Sequence, residues 1–299
     1  MLCNLDQDYN TLVKNKIYDV VVVGAGQAGL SISYFLSKSK IDHIVLDQGK
    51  LGNAWLHDRW DSFCLVTPNW SITLPGAEYN GNEPDAFMLG KDFSIYLEKW
   101  ATSFNAPVEE HVRVDQITKE GKNFLLETNQ GKLEGKQVVI ATATYQRPRI
   151  PEEIKGLSQH ISLLPASDYR NPSMLPSGAV LVIGSGQSGC QIAEELNKSG
   201  RQVYLSIGKS GRLPRTYRGA DCIKWQKDMG LLDRTPDMLD NPAMRFRGDP
   251  HLSGANGGRT LSLHQLSKDG ITLIGRISSC LLYTSDAADD TPCVDLGGR

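Results

Sequence analysis

Two stretches of this 299-residue chain, Gly24-Ala25-Gly26-Gln27-Ala28-Gly29 and Gly184-Ser185-Gly186-Gln187-Ser188-Gly189, set three glycines at one spacing. Glycines so spaced, where a strand turns into a helix, can bring backbone N–H groups and a helix N-terminus against a pyrophosphate. The first permits the tight turn, the second lets the phosphates approach the backbone, and the third lets the helix pack on the strand. Asp47 lies 23 positions after Gly24 and can accept a hydrogen bond from a ribose 2′-hydroxyl. The matching place after the second turn holds Ser206, 22 positions beyond Gly184, followed by Lys209 and Arg212. A hydroxyl and two cations suit a 2′-phosphate, so these residues predict NADP in preference to NAD at the second turn. Two dinucleotide sites in one chain imply electron transfer between them. The economical pairing is FAD at the first and NADPH at the second, because a nicotinamide delivers hydride to a flavin.

The elements that must position these turns are legible around them. Tyr18–Val23 is a β-branched run that reads as a buried parallel strand, and Leu30, Ile32, Phe35 and Leu36 follow at helical spacing. His43–Leu46 is the next strand and delivers Asp47 at its end. The second copy repeats the order, with a strand at 179–183, a helix carrying Ile192, Ala193 and Leu196, and a strand at 202–206. Leu261, Leu263 and Leu266 predict a short helix before a last strand at 270–275. The pattern predicts an α/β fold of two Rossmann-like dinucleotide-binding domains, each of three layers. The expected boundaries are 1–168 for the FAD domain and 169–278 for the NAD(P)H domain.

Composition agrees and narrows the alternatives. At roughly 150 residues per domain the length suits two domains, and 40% hydrophobic content suffices for two cores. Lys plus Arg number 32 against 34 Asp plus Glu, so no overall field draws the chain to nucleic acid or an anionic membrane. The apolar runs are far shorter than the ~18 residues of a membrane span, and the polar start lacks a signal-peptide core. These features predict a cytoplasmic protein. The cysteines Cys3, Cys64, Cys190, Cys222, Cys280 and Cys293 form no CxxC pair, and the six histidines show no HxH or HExxH spacing, so no metal is predicted. The basic stretch 211–219 reads as a solvated loop beside the NADPH phosphate, and 254–258 as a flexible loop. Trp225, Met229, Leu231 and Leu232 read as core or lid residues.

Further motifs resemble the flavin-containing monooxygenase superfamily, in particular its bacterial flavin-dependent oxidoreductases, over roughly residues 17–277. Gly52-Asn53-Ala54-Trp55 resembles the GxxW segment that passes along the flavin, and Thr67-Pro68-Asn69-Trp70 the segment whose asparagine reaches the reactive edge of the ring. The resemblance makes Asn69 the catalytic candidate, with an Asx-turn role after Pro68 as its structural alternative. It extends the FAD contacts to Gln48, Thr67, Val112, Ala141 and Thr142. Val138–Ala143 resembles the strand that ends in the family's ATG motif, but Ala143 stands in place of glycine, a strained choice if the position needs positive φ. Residues 145–151 are then the expected linker. Of the family's FxGxxxHxxxY motif only Tyr169 is kept, with Ile161 and Pro165 where glycine and histidine are expected.

The resemblance implies hydride transfer from NADPH to FAD, addition of O₂ at flavin C4a, and oxygenation of a small-molecule substrate, with no protein acid–base triad. A quinone or flavin reductase without oxygen transfer, and a non-catalytic NADP-binding fragment, are the alternatives. Residues 279–299 lack any helical or strand period and resemble a translated sequencing adapter, so a non-native tail is expected there. The family's chain returns to complete its first domain, and no residues here supply that return. The expectation is therefore a truncated FAD domain. The sequence is silent on oligomeric state.

Overall fold

The computed structural model describes residues 16–143, 148, 150–154, 160–208, 212–241 and 251–277. Lys209, the tail at 279–299 and most of the linker at 145–151 lie outside them. The described residues divide into two compact units. One gathers 16–58, 73–78 and 91–143, and the other gathers 59–72, 79–90 and the described part of 147–277. The segments 59–72 and 79–90 thus leave the first unit, where a continuous boundary at 168 would have kept them.

The first unit is built on a six-stranded sheet. β1 (Ile17–Val23) leads through the first glycine turn into α1 (Gln27–Lys38) and β2 (His43–Leu46), after which α2 (Asn53–His57) and the small hairpin β3 (Thr73–Leu74) and β4 (Ala77–Glu78) follow. α3 (Gly90–Ser103) precedes β5 (Val108–Glu109), and an antiparallel meander of β6 (Val114–Glu120), β7 (Asn123–Thr128) and β8 (Gly131–Ile140) completes the set. The strand order is β5-β2-β1-β8-β7-β6. β1 is parallel to both neighbours, with Val21 opposite Ile44 on one side and Val138 on the other. A strand paired on both edges and covered on both faces needs apolar side chains on both, which is why Val20, Val21 and Val22 are all buried. Val21 packs with Ile44, Leu46, Leu126 and Leu133, whereas Val20 and Val22 pack with Ala25 and Val45. α1 turns Gly29, Leu30 and Ser33 inward, and the Ser33 hydroxyl meets His43 Nε2 at 2.8 Å. Ile32 and Phe35, predicted for its apolar face, are exposed.

The second unit repeats the strand–turn–helix–strand order. β9 (Val180–Ile183) leads into α4 (Gln187–Lys198) and β10 (Val203–Ser206), and the hairpin β11 (Thr216–Tyr217) and β12 (Ala220–Asp221) ends in α5 (Cys222–Asp228). A second hairpin, β13 (Leu252–Ser253) with β14 (Arg259–Thr260), precedes α6 (Leu263–Lys268) and β15 (Thr272–Ile274). The parallel sheet runs β15-β10-β9. Its core joins Cys190, Ala193 and Leu196 of α4 to Val203, Leu205, Leu266 and Ile271, with Trp60 and Tyr169 packed in.

Three expectations are corrected here. Residues 254–258 form a packed hairpin end, not a flexible loop: a Cβ on Gly254 would strike the Leu65 carbonyl, and one on Gly258 the Phe87 ring. Met229, Leu231 and Leu232 are exposed, which removes the core half of the core-or-lid reading. The basic stretch is not wholly solvated, since Arg215 is buried.

Candidate functional site

The first glycine turn has one open position between two closed ones. Gly24 has φ +109°, and a Cβ there would lie 2.5 Å from the Ala141 carbonyl oxygen. A Cβ on Gly29 would collide with the Gly24 carbonyl, so the helix can sit this close only without one. At Gly26, by contrast, a Cβ would meet nothing within 4 Å. Gly26 is the N-cap of α1 and no side chain caps it, so the helix end presents backbone N–H groups to that space, flanked by exposed Gln27 and Ala28. The arrangement fits a pyrophosphate, because the crowding that excludes a methyl group at the other two glycines is absent at the one that must face the ligand.

Asp47 is brought to this turn from the end of β2. Its Oδ2 accepts from the Ala25 N–H at 2.7 Å and its Oδ1 from the Gly49 N–H at 2.9 Å. A carboxylate has about four acceptor sites, so two remain for a ribose diol. Val112 is buried beside it and donates its N–H to the Asp47 carbonyl at 2.7 Å. Asn53 sits over Gly49, and Trp55 stands edge-on to Phe93 with ring centroids 4.9 Å apart. Ala141 donates to the Val23 carbonyl at 2.8 Å as the chain leaves β8, and Thr142 follows it. Ala143 has φ +58°, so its replacement of glycine does fall on a left-handed backbone. Gln48 is exposed at the end of the Asp47 turn.

The second turn shares the positive φ at its first glycine and the tight helix contact at its third, but a Cβ on Gly184 would meet nothing within 4 Å. Gly184 has φ +104°, a Cβ on Gly189 would collide with the Gly184 carbonyl, and one on Gly186 would meet only His251 Nε2, at 3.9 Å. Gly186 caps α4 without a side-chain bond, Gln187 is half-buried and Ser188 is exposed. The 2′-phosphate roles predicted for Ser206 and Arg212 do not match their placement. Ser206 is buried and its hydroxyl donates to the Gly275 carbonyl at 3.1 Å. Arg212 turns inward, and its Nη2 donates to the Ser185 carbonyl at 2.9 Å and its Nη1 to the Leu261 carbonyl at 3.3 Å. It ties down the back of the glycine turn, as does the Gly208 N–H, which donates to Ser185 Oγ at 3.0 Å. Burial pushes the neighbouring Cys190 thiol up from its ordinary range, which disfavours the reactive thiolate.

Asn69 and Thr67 belong to the second unit. Asn69 is buried, its Nδ2 donates to the Glu83 carbonyl at 3.0 Å, and its Oδ1 accepts from the Met88 N–H at 3.0 Å. Its own N–H donates to the Ala86 carbonyl at 2.9 Å. These partners fix which way the amide faces and leave one N–H and one acceptor site unspent among the described residues. The side chain therefore pins the 83–88 segment rather than closing a local Asx-turn. Sequence reasoning missed Arg215, Phe87 and His251, whose neighbours come from distant parts of the chain.

Comparison with known proteins gives concordant results. The sequence matches the family described as "Pyridine nucleotide-disulphide oxidoreductase" over residues 21–221. It is 39% identical over 219 residues to "Uncharacterized oxidoreductase CzcO-like" of Geobacillus kaustophilus, covering 73% of this chain and 62% of that protein. It is 36% identical over 236 residues to "Uncharacterized oxidoreductase CzcO" of Bacillus subtilis, covering 78% and 68% of the two chains. A doubly substituted mutant of a flavin monooxygenase from Stenotrophomonas maltophilia superposes with a TM-score of 0.62 at 26% identity, over 71% of this chain and 64% of that one. The chain thus spans less than two thirds of the length of the first of these relatives and of the solved structure. Two units, each with a parallel strand leading through a glycine turn into a helix, are what such matches lead one to expect, and the chain belongs to the pyridine nucleotide-disulphide oxidoreductase family and fits the flavin-containing monooxygenase superfamily.

Proposed function

We propose that the chain is an NADPH-dependent flavoprotein of monooxygenase type, holding FAD at the first glycine turn and NADPH at the second, and acting on a small-molecule substrate with O₂. The observation that carries this reading is the repeated geometry: in both turns the first glycine has positive φ, the third could not carry a Cβ without striking the carbonyl of the first, and the second leaves room for a ligand. Bound together, the two cofactors would supply hydride transfer and oxygen chemistry, which are properties of the cofactors themselves.

The chain's own residues bind and orient. Gly26 and the first turn of α1 would take the pyrophosphate of FAD, and Asp47, already held by Ala25 and Gly49, would take the adenosine ribose. Asn53, Trp55, Val112, Ala141 and Thr142 would line that nucleotide. Asn69 would serve the flavin through the amide N–H and the acceptor site that no described residue engages. Gly186 and the first turn of α4 would take the pyrophosphate of NADPH, with His251 beside it. The 2′-phosphate contact then falls to groups other than Ser206 and Arg212.

The test uses the FAD-loaded chain and NADPH in air. NADPH oxidation with substrate-dependent suppression of hydrogen peroxide release supports oxygen transfer. Rapid reduction of quinones or dyes with little peroxide and no oxygenated product would instead assign a reductase. Binding of NADPH without any retained flavin would overturn the two-cofactor reading.

A further inference from the structure

Arg215 is the most deeply buried arginine among the described residues of the second unit, at 3% exposure, and no role described so far uses it. Its Nε donates to Asp221 Oδ2 at 2.6 Å and its Nη1 to the Val66 carbonyl at 2.6 Å. The guanidinium carbon lies 4.3 Å from the centre of the Phe87 ring, a cation–π contact out of water. Its backbone N–H donates to Thr260 Oγ1 at 2.7 Å, and Asp221 in turn caps α5 by accepting from the Ile223 N–H at 2.8 Å. Nη2 is buried and has no hydrogen-bond partner among the described residues.

Of the three groups this guanidinium meets, Asp221 holds it within its own hairpin, while Val66 and Phe87 lie on the two segments that flank Asn69. Val66 precedes Thr67-Pro68-Asn69 in the chain. Phe87 stands between Ala86, whose carbonyl accepts from the Asn69 N–H, and Met88, whose N–H donates to Asn69 Oδ1. One rigid planar group therefore spans both strands of the clasp that orients the Asn69 amide. A buried cation with an unpaired N–H is a costly way to gain stability, since an apolar side chain of similar size is often as good. The cost is better explained by geometry, because a guanidinium can donate in two directions and stack in a third, which neither lysine nor methionine can do.

We propose that Arg215 is a positioning residue for Asn69, reaching from the start of the β11–β12 hairpin, in the same unit, to fix the direction of the Asn69 amide. Its consequence for the cofactor rests on the reading that Asn69 meets the flavin. The positioning itself does not.

The experiment is amide hydrogen exchange by NMR on the full chain without added cofactor, comparing the parent with Arg215→Lys and Phe87→Leu. Each variant should speed exchange of the Asn69 and Met88 backbone amides by about tenfold or more, while the α4 amides of residues 192–196, in the same unit, change little. Unchanged exchange at Asn69 and Met88 in both variants would overturn the proposal. So would an equal acceleration along α4, which would make Arg215 a general stabiliser. A second arm reads the visible flavin band after loading with FAD. Arg215→Lys should move it in the same direction as Asn69→Ala, and the double variant should move it no further. If Asn69→Ala leaves the band unchanged, the placement of Asn69 at the flavin fails, and the exchange result still decides the role of Arg215.

Discussion

At the scale of single residues, Gly26 and Gly29 make opposite predictions from the same substitution. Gly26→Ala adds a methyl group to open space, so the fold should be retained with unfolding free energy within about 0.5 kcal/mol of the parent. FAD retention should nevertheless be lost, because that methyl occupies the approach path of the pyrophosphate. Gly29→Ala drives a methyl into the Gly24 carbonyl and should instead destabilise the unit by more than about 2 kcal/mol. Urea unfolding and flavin absorbance on the two variants separate these effects, and similar stability loss in both would contradict the geometry. Arg212 supplies a second contrast. Because its guanidinium holds the Ser185 and Leu261 carbonyls, Arg212→Ala should weaken NADPH and NADH to a similar degree, as measured by titration of each. A loss confined to NADPH would restore the 2′-phosphate role read from the sequence. The spacing indicates that Ser206, at the end of β10, and Arg212, six residues on, stand near the second turn, but not which way their side chains turn. Asn69 was found by motif, whereas Arg215 was not, since its grip on Val66 joins residues 149 positions apart and leaves no periodic trace.

At the scale of elements, the exit of β8 carries a cost that can be relieved. Ala143, with φ +58°, occupies a backbone region where an L-residue is strained by about 1–2 kcal/mol. Ala143→Gly should raise unfolding free energy by about 1 kcal/mol, read by urea titration, and a fall would show that the left-handed turn does not persist in solution. The Tyr169 side chain links the 160s segment to α4 by donating to Glu195 Oε2 at 2.8 Å. Burial, and then that hydrogen bond, raise its phenol well above the ordinary range. A proton held more tightly in the folded state stabilises fully below the unfolded value of about 10 and is lost as pH rises beyond it toward the folded value. Stability should therefore decline above about pH 10, and the decline should be shallower in Tyr169→Phe. An identical alkaline limb in both would contradict the role of the phenol. The strands beside the glycine turns were legible because Val20–Val23 and the run at 179–183 are apolar and β-branched. The meander of β6 to β8 was not, because β6 (VDQITKE) is largely exposed and its polar side chains carry little burial signal. Its turns at Glu120-Gly121-Lys122 and Asn129-Gln130-Gly131 were the clues available. The hairpin at β13 and β14 was read as a loop from its glycines, which in fact mark close backbone approach to Leu65 and Phe87.

At the scale of the whole molecule, two units repeat one device, a parallel strand, a glycine turn whose third glycine packs on the carbonyl of the first, and a helix that no side chain caps. The order of these parts could be read from the sequence twice over. The discontinuity of the first unit could not, because 59–72 and 79–90 declare their unit only through contacts with distant residues, such as Trp60 within the α4 core. Among the described residues, no helix is long and apolar enough to cross a membrane. The central claim, that the two turns hold different nucleotides, is tested most directly by the absorbance spectrum of the chain after incubation with excess FAD and desalting, for the parent, Gly26→Ala and Gly186→Ala. The expected result is close to one flavin per parent chain, its loss in Gly26→Ala and its retention in Gly186→Ala. No flavin on the parent, or equal flavin on the parent and Gly26→Ala, would contradict it.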